Sequence, residues 1–259
     1  MKKVGLCTIA FSEKPLEEVL NLANEVGFDG VEIWGKEPHM GEVFDEERVQ
    51  KVKKMVDERN LSVSMFGSYL YLGVEGEISK TDSILKIAEG LGTSIVRVWA
   101  SNKGSPEATE VDWKNCLRDL EKACRKAEKM GITLAIEMHT KTLADRGETT
   151  RRLIEKVSLP NLKVNFQYGL EDNLWERLDA VIPWVVNVHA QNFKKVSTNG
   201  SVKREISLIS EGVIDYSLLF LRLKKAGFDG YFEVEFVAGN SYKEKILSLK
   251  KDYKFLRSL

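Results

Sequence analysis

Two spacings of apolar residues take turns along the chain. Short apolar runs such as 61–66 are typical of buried strands, whereas residues 16–26 carry apolar side chains at the spacing of an amphipathic helix. Residues 192–213 fit neither spacing and are predicted to form a loop with a turn at 198–201. The predicted strands cover residues 3–11, 31–34, 61–66, 94–100, 132–139, 162–167, 184–191 and 231–237. The predicted helices cover residues 16–26, 45–58, 78–91, 110–130, 147–157, 173–182, 215–226 and 241–257.

This regular alternation predicts a parallel sheet whose strands are joined by helical crossovers. The junction at residues 26–30 recurs almost unchanged at 226–230, with a glycine where a left-handed residue ends a helix. The chain has 259 residues, and a (β/α)₈ TIM barrel takes about 250. We therefore predict a single barrel domain over residues 1–259. A doubly wound open sheet is the alternative, but no glycine-rich nucleotide motif follows the first strand.

Composition excludes several classes of protein. Hydrophobic residues make up 43% of the chain, which is enough for a full core, and the net charge is zero, so no nucleic-acid or membrane partner is expected. No apolar run approaches the length of a membrane span. Three scattered cysteines favour a reduced, cytoplasmic protein. The oligomeric state stays open, and a homo-oligomer is compatible with these numbers.

Polar side chains recur at the carboxyl ends of six predicted strands. A single polar strand end is more often structural than functional, but in a parallel barrel these ends meet at one mouth, where the active site lies. Within each strand the residues are two apart and share a face. They are Glu32 and Trp34; Arg97 and Trp99; Glu137 and His139; Asn165 and Gln167; Asn187, His189 and Gln191; and Glu233 and Glu235. Six polar ends together favour a functional site. His39 is predicted to lie in a loop, solvated or facing substrate.

Four of these residues suit one divalent metal ion. Carboxylate, imidazole and amide ligands are compatible with Mn²⁺, Mg²⁺, Co²⁺ or Zn²⁺, and the absence of thiolates argues against a structural zinc. The predicted ligands are Glu137, Gln167, His189 and Glu235. Asn165, Asn187 and Glu233 lie one layer deeper, where they either orient the ligands or form a core hydrogen-bond network.

Six segments of the chain resemble the sugar-phosphate isomerase/epimerase superfamily with a xylose isomerase-like TIM barrel. They are GFDGVEIWG at 27–35, LAIEMH at 134–139, VNFQYGL at 164–170, VVNVHAQNF at 185–193, EGVID at 211–215 and FDGYFEVEF at 228–236. That grouping includes ketose 3-epimerases and inosose isomerases and dehydratases. The resemblance implies metal ligands at a glutamate, an aspartate, a histidine and a glutamate on strands five to eight. Glu137, His189 and Glu235 match three of them.

Two departures from the family pattern affect the same site. The strand-six pattern Asp-x-x-His is here Gln167-Tyr168-Gly169-Leu170, and the strand-seven pattern His-x-Lys-Asp is His189-Ala190-Gln191-Asn192. An amide oxygen ligates a metal but carries no charge, so we expect a retained metal site of lower affinity.

The resemblance implies proton transfer next to the carbonyl of a ketose or inosose-type sugar. The metal would act as a Lewis acid, and Glu137 and Glu235, as acid and base on opposite faces, would give epimerisation or isomerisation. The expected substrate-binding residues are Glu32, Trp34, Arg97, His139 and Arg204. We therefore predict a metal-dependent sugar isomerase or epimerase.

Three other functions compete with this one. An inosose-type dehydratase begins with the same proton abstraction. A non-catalytic sugar-binding barrel with a degraded metal site is favoured by Gln167 and Leu170. A DNA-repair endonuclease of the same barrel type is disfavoured, because such enzymes need many more than the three histidines present.

Overall fold

The fold is described from a computed structural model that covers residues 2–168, 173–198 and 201–259. The strands are β1 (Lys3–Cys7), β2 (Gly30–Trp34), β3 (Ser62–Leu72), β4 (Ile95–Ala100), β5 (Thr133–Glu137), β6 (Leu162–Phe166), β7 (Val185–Ala190), β8 (Asn192–Thr198), β9 (Ser201–Ser207) and β10 (Tyr231–Val234). The helices are α1 (Leu16–Val26), α2 (Glu46–Asp57), α3 (Thr81–Leu91), α4 (Glu110–Glu128), α5 (Gly147–Val157), α6 (Leu174–Val181), α7 (Tyr216–Lys225) and α8 (Tyr242–Ser258).

Eight of the strands close into a parallel barrel in the order β1-β10-β7-β6-β5-β4-β3-β2. This closure confirms the predicted (β/α)₈ fold, with β10 as the eighth barrel strand. The register places Glu233 beside His189 and Asn165 beside Asn187. Polar residues of neighbouring strands therefore lie at the same height inside the barrel.

The helices begin and end where local chemistry dictates. Thr109 caps α4 in a capping box with Asp112, which satisfies free N–H groups of the first turn. Gly27 ends α1 at φ 97°, a left-handed conformation that costs other residues about 1 kcal/mol. The chain can then turn directly into β2. None of the described helices is both long and apolar enough to span a membrane.

Several predicted boundaries were wrong. β1 stops at Cys7, and residues 8–11 form a 3₁₀ turn. β3 continues to Leu72 instead of ending at Phe66, because the sequence Ser-Tyr-Leu-Tyr-Leu keeps the alternation of a strand. This extension brings Tyr69 and Tyr71 to the mouth of the barrel.

The predicted loop at 192–213 contains a hairpin. Strands β8 and β9 pair antiparallel with each other and form a sheet separate from the barrel. Charged residues interrupt their apolar alternation, so the sequence pattern was hidden. The predicted turn at 198–201 lies partly outside the described residues. Asn192 anchors the base of the hairpin: its Nδ2 donates to the carbonyls of Ile209 (2.8 Å) and Ile214 (2.9 Å).

The predicted exposure of His39 was also wrong. This side chain is buried, with Nδ1 3.0 Å from Thr8 Oγ1 and Nε2 2.9 Å from the carbonyl oxygen of Lys14. Both ring nitrogens therefore have protein partners, and His39 holds the loop after β2 against the segment that precedes α1.

Candidate active site

Ionisable side chains from β2, β4, β5, β7 and β10 converge inside the barrel. Each of them is at most 4% exposed: Glu32, Arg97, Glu137, His189, Glu233 and Glu235. Buried charges are costly unless they are paired or bind an ion. We therefore expect each of these side chains to have an ion-pair or hydrogen-bond partner, or to bind an ion.

His189 lies at the centre of this group. Its Nε2 is 2.6 Å from Glu32 Oε2, while its Nδ1 is 3.4 Å from Glu235 Oε1 and 4.0 Å from Glu137 Oε1. Without a cation, burial opposes the charged ring, but the charges of Cys7, Glu32 and Glu235 outweigh burial and raise the pKa of His189, so the ring is protonated. A bound cation would displace the Nδ1 proton, while the proton on Nε2 would stay on the side of Glu32. This carboxylate–histidine arrangement is the one that orients metal-ligating histidines in proteins.

Three buried atoms of this group accept no hydrogen bond from the described residues. They are Glu137 Oε2, Gln167 Oε1 and His189 Nδ1. Glu137 Oε2 does form an ion pair with Arg97 Nε at 3.0 Å. Unpartnered buried acceptors are rare because each costs free energy. Gln167 Oε1 and His189 Nδ1 would therefore be available to a cation, together with the carboxylates of Glu137 and Glu235.

The described residues contain two clusters whose ligand atoms are close enough for a metal ion. One comprises Glu137, His189 and Glu235, and the other comprises Cys7, Glu32, His189 and Glu233. In the second cluster Cys7 Sγ donates to Glu32 Oε2 at 3.3 Å, and Ser64 Oγ donates to Glu233 Oε1. Because its acceptors are already used, the first cluster is the better candidate metal site.

Charge balance supports the same choice. Among the described residues, the four buried carboxylates have one arginine in ion-pair contact, Arg97, which pairs with Glu32 Oε1 at 3.1 Å and with Glu137 Oε2 at 3.0 Å. Burial alone raises the pKa of Glu32, but the charges of His189 and Arg97 outweigh it and lower this pKa to about 2. Burial and the nearby Glu32 raise the pKa of Glu233 to about 8, so Glu233 is mostly protonated at neutral pH. With Glu233 protonated and Arg97 charged, two negative charges remain on the carboxylates, and a divalent cation would offset them.

Gln167 takes the position of the fourth predicted ligand. Its Nε2 donates to Glu235 Oε2 at 2.9 Å, which leaves Oε1 without a partner among the described residues. Its backbone carbonyl accepts a hydrogen bond from Arg177 Nη1 at 3.2 Å. Gln167 is thus fixed from both ends, with its free oxygen available to a cation.

The residues predicted to bind substrate lie in different places. Glu32 and Arg97 lie beneath the metal cluster, where Arg97 Nη2 also donates to the carbonyl of Gly67 at 3.1 Å. A Cβ on Gly67 would lie 2.2 Å from Glu32 Oε1, so a glycine is required there. The half-buried Trp34 donates from Nε1 to the hydroxyl of Tyr69 at 2.9 Å.

His139 follows β5 and lines a cavity of about 470 Å³ together with Tyr71, Trp99, Asn102 and neighbouring residues. Its Nδ1 is 2.8 Å from the carbonyl oxygen of Thr140, and its ring meets Trp99 edge-on at 5.0 Å. Since a carbonyl only accepts, Nδ1 carries the proton and donates it to Thr140. The lone pair is then on Nε2.

Arg204 lies on β9 of the hairpin. It is exposed, and its guanidinium lies 4.9 Å from the centre of the Phe193 ring. Phe193 in turn stacks on Tyr168, the residue after Gln167.

Sequence reasoning missed several residues around this site. Tyr69 and Tyr71 stack on Trp99 at 5.6 and 5.3 Å between ring centres, and the alternation beyond Phe66 was the available signal. Arg177 gave no such signal, because a buried arginine on a helix looks like a solvated one in the sequence. Leu170, where the family pattern has histidine, lies outside the described residues.

The fold and the buried carboxylate–histidine cluster define the class: a TIM barrel with a candidate mononuclear metal site at its carboxyl end. The family model of the xylose isomerase-like TIM barrel matches residues 20–259, and the chain belongs to this family.

Three known proteins show how the family varies. The 3-dehydroshikimate dehydratase of Bacillus anthracis is 24% identical over 203 residues, covering 73% of this chain and 71% of its own length. Fructoselysine 3-epimerase of Escherichia coli O157:H7 is 24% identical over 147 residues, covering 52% of this chain and about half (54%) of that protein. A xylose isomerase-like TIM barrel protein from Mycobacterium smegmatis, solved in complex with magnesium, superposes with a TM-score of 0.80 at 14% identity over 100% of this chain and 96% of its own.

Proposed function

We propose that this protein is a divalent-metal-dependent enzyme that removes a proton next to the carbonyl of a hydroxylated ketone and then expels water. The observation that carries this proposal is the buried cluster of Glu137, His189 and Glu235, whose ligand atoms lie within 4.8 Å of one another. Gln167 contacts this cluster through Glu235, and its Oε1 accepts no hydrogen bond from the described residues. These residues would hold the cation, which supplies a Lewis acid for the charge that develops on the substrate oxygen.

The protein's own residues would have distinct roles. Glu32 holds the ring of His189 in place through Nε2, and Arg97 pairs with both Glu32 and Glu137. Burial raises the pKa of Glu137, and the charge of Arg97 opposes this rise. Arg177 fixes the carbonyl of Gln167. The aromatic residues around Trp99 exclude water from one side of the substrate, which strengthens the electrostatic interactions there.

His139 is our candidate for the proton-transferring group. Its Nδ1–H donates to Thr140, so Nε2 is the ring nitrogen left to exchange a proton with a substrate in the cavity. His139 would take the proton from the carbon next to the carbonyl, and the electron pair would expel the hydroxyl group of the adjacent carbon. That hydroxyl leaves as water after it receives the proton from His139, so atoms and charge balance. General acid–base groups of this kind contribute about 10²–10⁴ in rate.

Epimerisation is the second candidate, and it was our first expectation from the sequence. It needs only Glu137 and Glu235 on opposite faces of the reacting carbon. Two observations favour dehydration: His139 supplies a third acid–base group, and the dehydratase of Bacillus anthracis matches a larger share of this chain than the fructoselysine epimerase does.

One experiment tests both candidates. Purified protein loaded with Mn²⁺ or Mg²⁺ is incubated with 3-dehydroshikimate, whose loss of water gives aromatic 3,4-dihydroxybenzoate. In parallel, it is incubated with a ketose panel in D₂O, where epimerisation introduces deuterium next to the carbonyl. We expect the aromatic product, and we expect Glu235→Gln to abolish it.

Two results would count against the proposal. Deuterium exchange in a ketose without any aromatic product would favour the epimerase instead. Metal-independent activity, or full activity of Glu235→Gln, would show that the site as described is not the catalytic one.

A further inference from the structure

Two cations lie directly opposite each other on the β8–β9 hairpin. Lys195 pairs with Arg204 across the antiparallel strands, so both side chains project from the same face. Both are exposed, and neither has a carboxylate at ion-pair distance in the described parts of the chain. Like charges placed directly opposite in a hairpin are destabilising. The arrangement therefore needs another explanation than the stability of the hairpin.

On the other face of the hairpin, a lysine is neutralised by acidic residues. There Lys194 pairs with Glu205 in the register, and its Nζ is 2.8 Å from Glu211 Oε2. Lys203 lies on this same face, opposite Val196. Lys194 thus has two acidic partners, whereas Lys195 and Arg204 have no carboxylate at ion-pair distance among the described residues.

The face that carries Lys195 and Arg204 contacts, through one aromatic stack, the residue next to the candidate ligand Gln167. Phe193 shares this face, because it lies two residues before Lys195. Phe193 is buried, and its ring stacks on Tyr168 at 6.1 Å with an interplanar angle of 6°. Tyr168 directly follows the candidate ligand Gln167. The guanidinium of Arg204 lies over the outer side of this aromatic stack, 4.9 Å from Phe193.

We infer that Lys195 and Arg204 form an anion clamp at the rim of the barrel mouth, and that the substrate carries a carboxylate or phosphate group at the end remote from its carbonyl. This inference rests on the proposed function, since it concerns the substrate of the same site. It distinguishes an acidic substrate, such as dehydroshikimate, from a simple neutral ketose. Arginine supplies a planar pair of donors and lysine a mobile point charge, a combination that suits either anion.

The test compares an acid with its neutral ester. Metal-loaded protein is titrated calorimetrically with 3,4-dihydroxybenzoate and with its methyl ester, which keeps the ring and both hydroxyl groups. A charge-assisted contact is worth about tenfold in affinity or more, so we expect wild type to prefer the acid by about 10–100-fold. We expect Lys195→Met/Arg204→Met to lose this preference while it binds the ester within about twofold of wild type.

Lys203→Met is the matched control. It removes one positive charge from the same hairpin but from the opposite face, so the preference for the acid should persist. Added salt should weaken the binding of the acid by wild type and leave that of the ester unchanged, because the clamp is exposed.

The outcomes separate the clamp from the reaction. A double variant that keeps the preference for the acid, or a wild type without one, overturns the clamp while dehydratase activity can still stand. If neither aromatic compound binds, the proposed reaction fails. The same variants are then titrated with fructose 6-phosphate and fructose, and a wild type that does not prefer the phosphate, or a double variant that still does, overturns the clamp.

Discussion

The most informative perturbation of the site is Gln167→Glu, because it changes one atom of a buried side chain. The Nε2 that donates to Glu235 Oε2 at 2.9 Å becomes a carboxylate oxygen. Without metal, the protein loses a hydrogen bond to a charged group, which is worth about 1.5–3 kcal/mol. It also gains a repulsion between two carboxylates, about 6 kcal/mol at this distance and an effective dielectric constant of about 20.

Uptake of a proton by one of the two carboxyls limits this cost. We therefore expect the metal-free variant to be about 3–5 kcal/mol less stable than wild type, a fall of about 10 °C in melting temperature for a chain of this size. With a divalent cation bound, the substitution becomes stabilising. The new carboxylate at position 167 adds to those of Glu137 and Glu235, and all three attract the cation. Affinity for Mn²⁺ should rise at least about tenfold.

Thermal melts with and without Mn²⁺ measure the change in stability, and calorimetric titration measures the change in affinity for the metal. The melting temperature of the variant should rise more on addition of Mn²⁺ than that of wild type, since ligands that bind only the folded state stabilise it by mass action. Asn192→Asp is the control: it alters a buried amide that donates to the carbonyls of Ile209 and Ile214. That variant should be destabilised whether or not metal is present.

If Gln167→Glu melted at the wild-type temperature without metal and bound Mn²⁺ no more tightly, Gln167 Oε1 would not lie at the metal. A variant that lost stability and gained no metal affinity would leave Glu137, His189 and Glu235 as the only protein ligands.

Three further outcomes are expected. His139→Asn should bind Mn²⁺ as wild type does but lose about 10²–10⁴ in kcat; an unchanged kcat would remove it from the reaction. Glu32→Gln should weaken metal binding about 10–100-fold in titrations, because Glu32 Oε2 fixes His189 Nε2 at 2.6 Å. Burial raises the pKa of Asp252 to about 7, and its Oδ2 accepts no hydrogen bond from the described residues, so protonation stabilises the folded state. This contribution is complete below the unfolded pKa of about 4 and is lost as the pH rises through 7. In urea unfolding, the free energy of unfolding of wild type should therefore fall by about 2–3 kcal/mol relative to that of Asp252→Asn between pH 5 and pH 9.

The hydrophobic pattern by itself determined the barrel. Strands and helices that alternate in this order have few ways to bury both faces of a parallel sheet, and the closed barrel is the one observed. The sequence also singled out Glu137, His189 and Glu235, because ionisable residues that end apolar strands are costly without a function. The family resemblance added the expectation of a metal at that point.

Only the tertiary structure decided which of those side chains contact one another. The sequence predicted Glu32 as a substrate-binding residue, but strand register places it against His189 Nε2. No local pattern encodes which nitrogen of an imidazole faces which carboxylate. The hairpin at residues 192–207 was hidden because its two strands pair only with each other, and its meaning depends on cross-strand neighbours such as Lys195 and Arg204. Register and pairing arise between residues far apart in the chain. For that reason local spacing indicates the candidate ligands but not the residues that contact them.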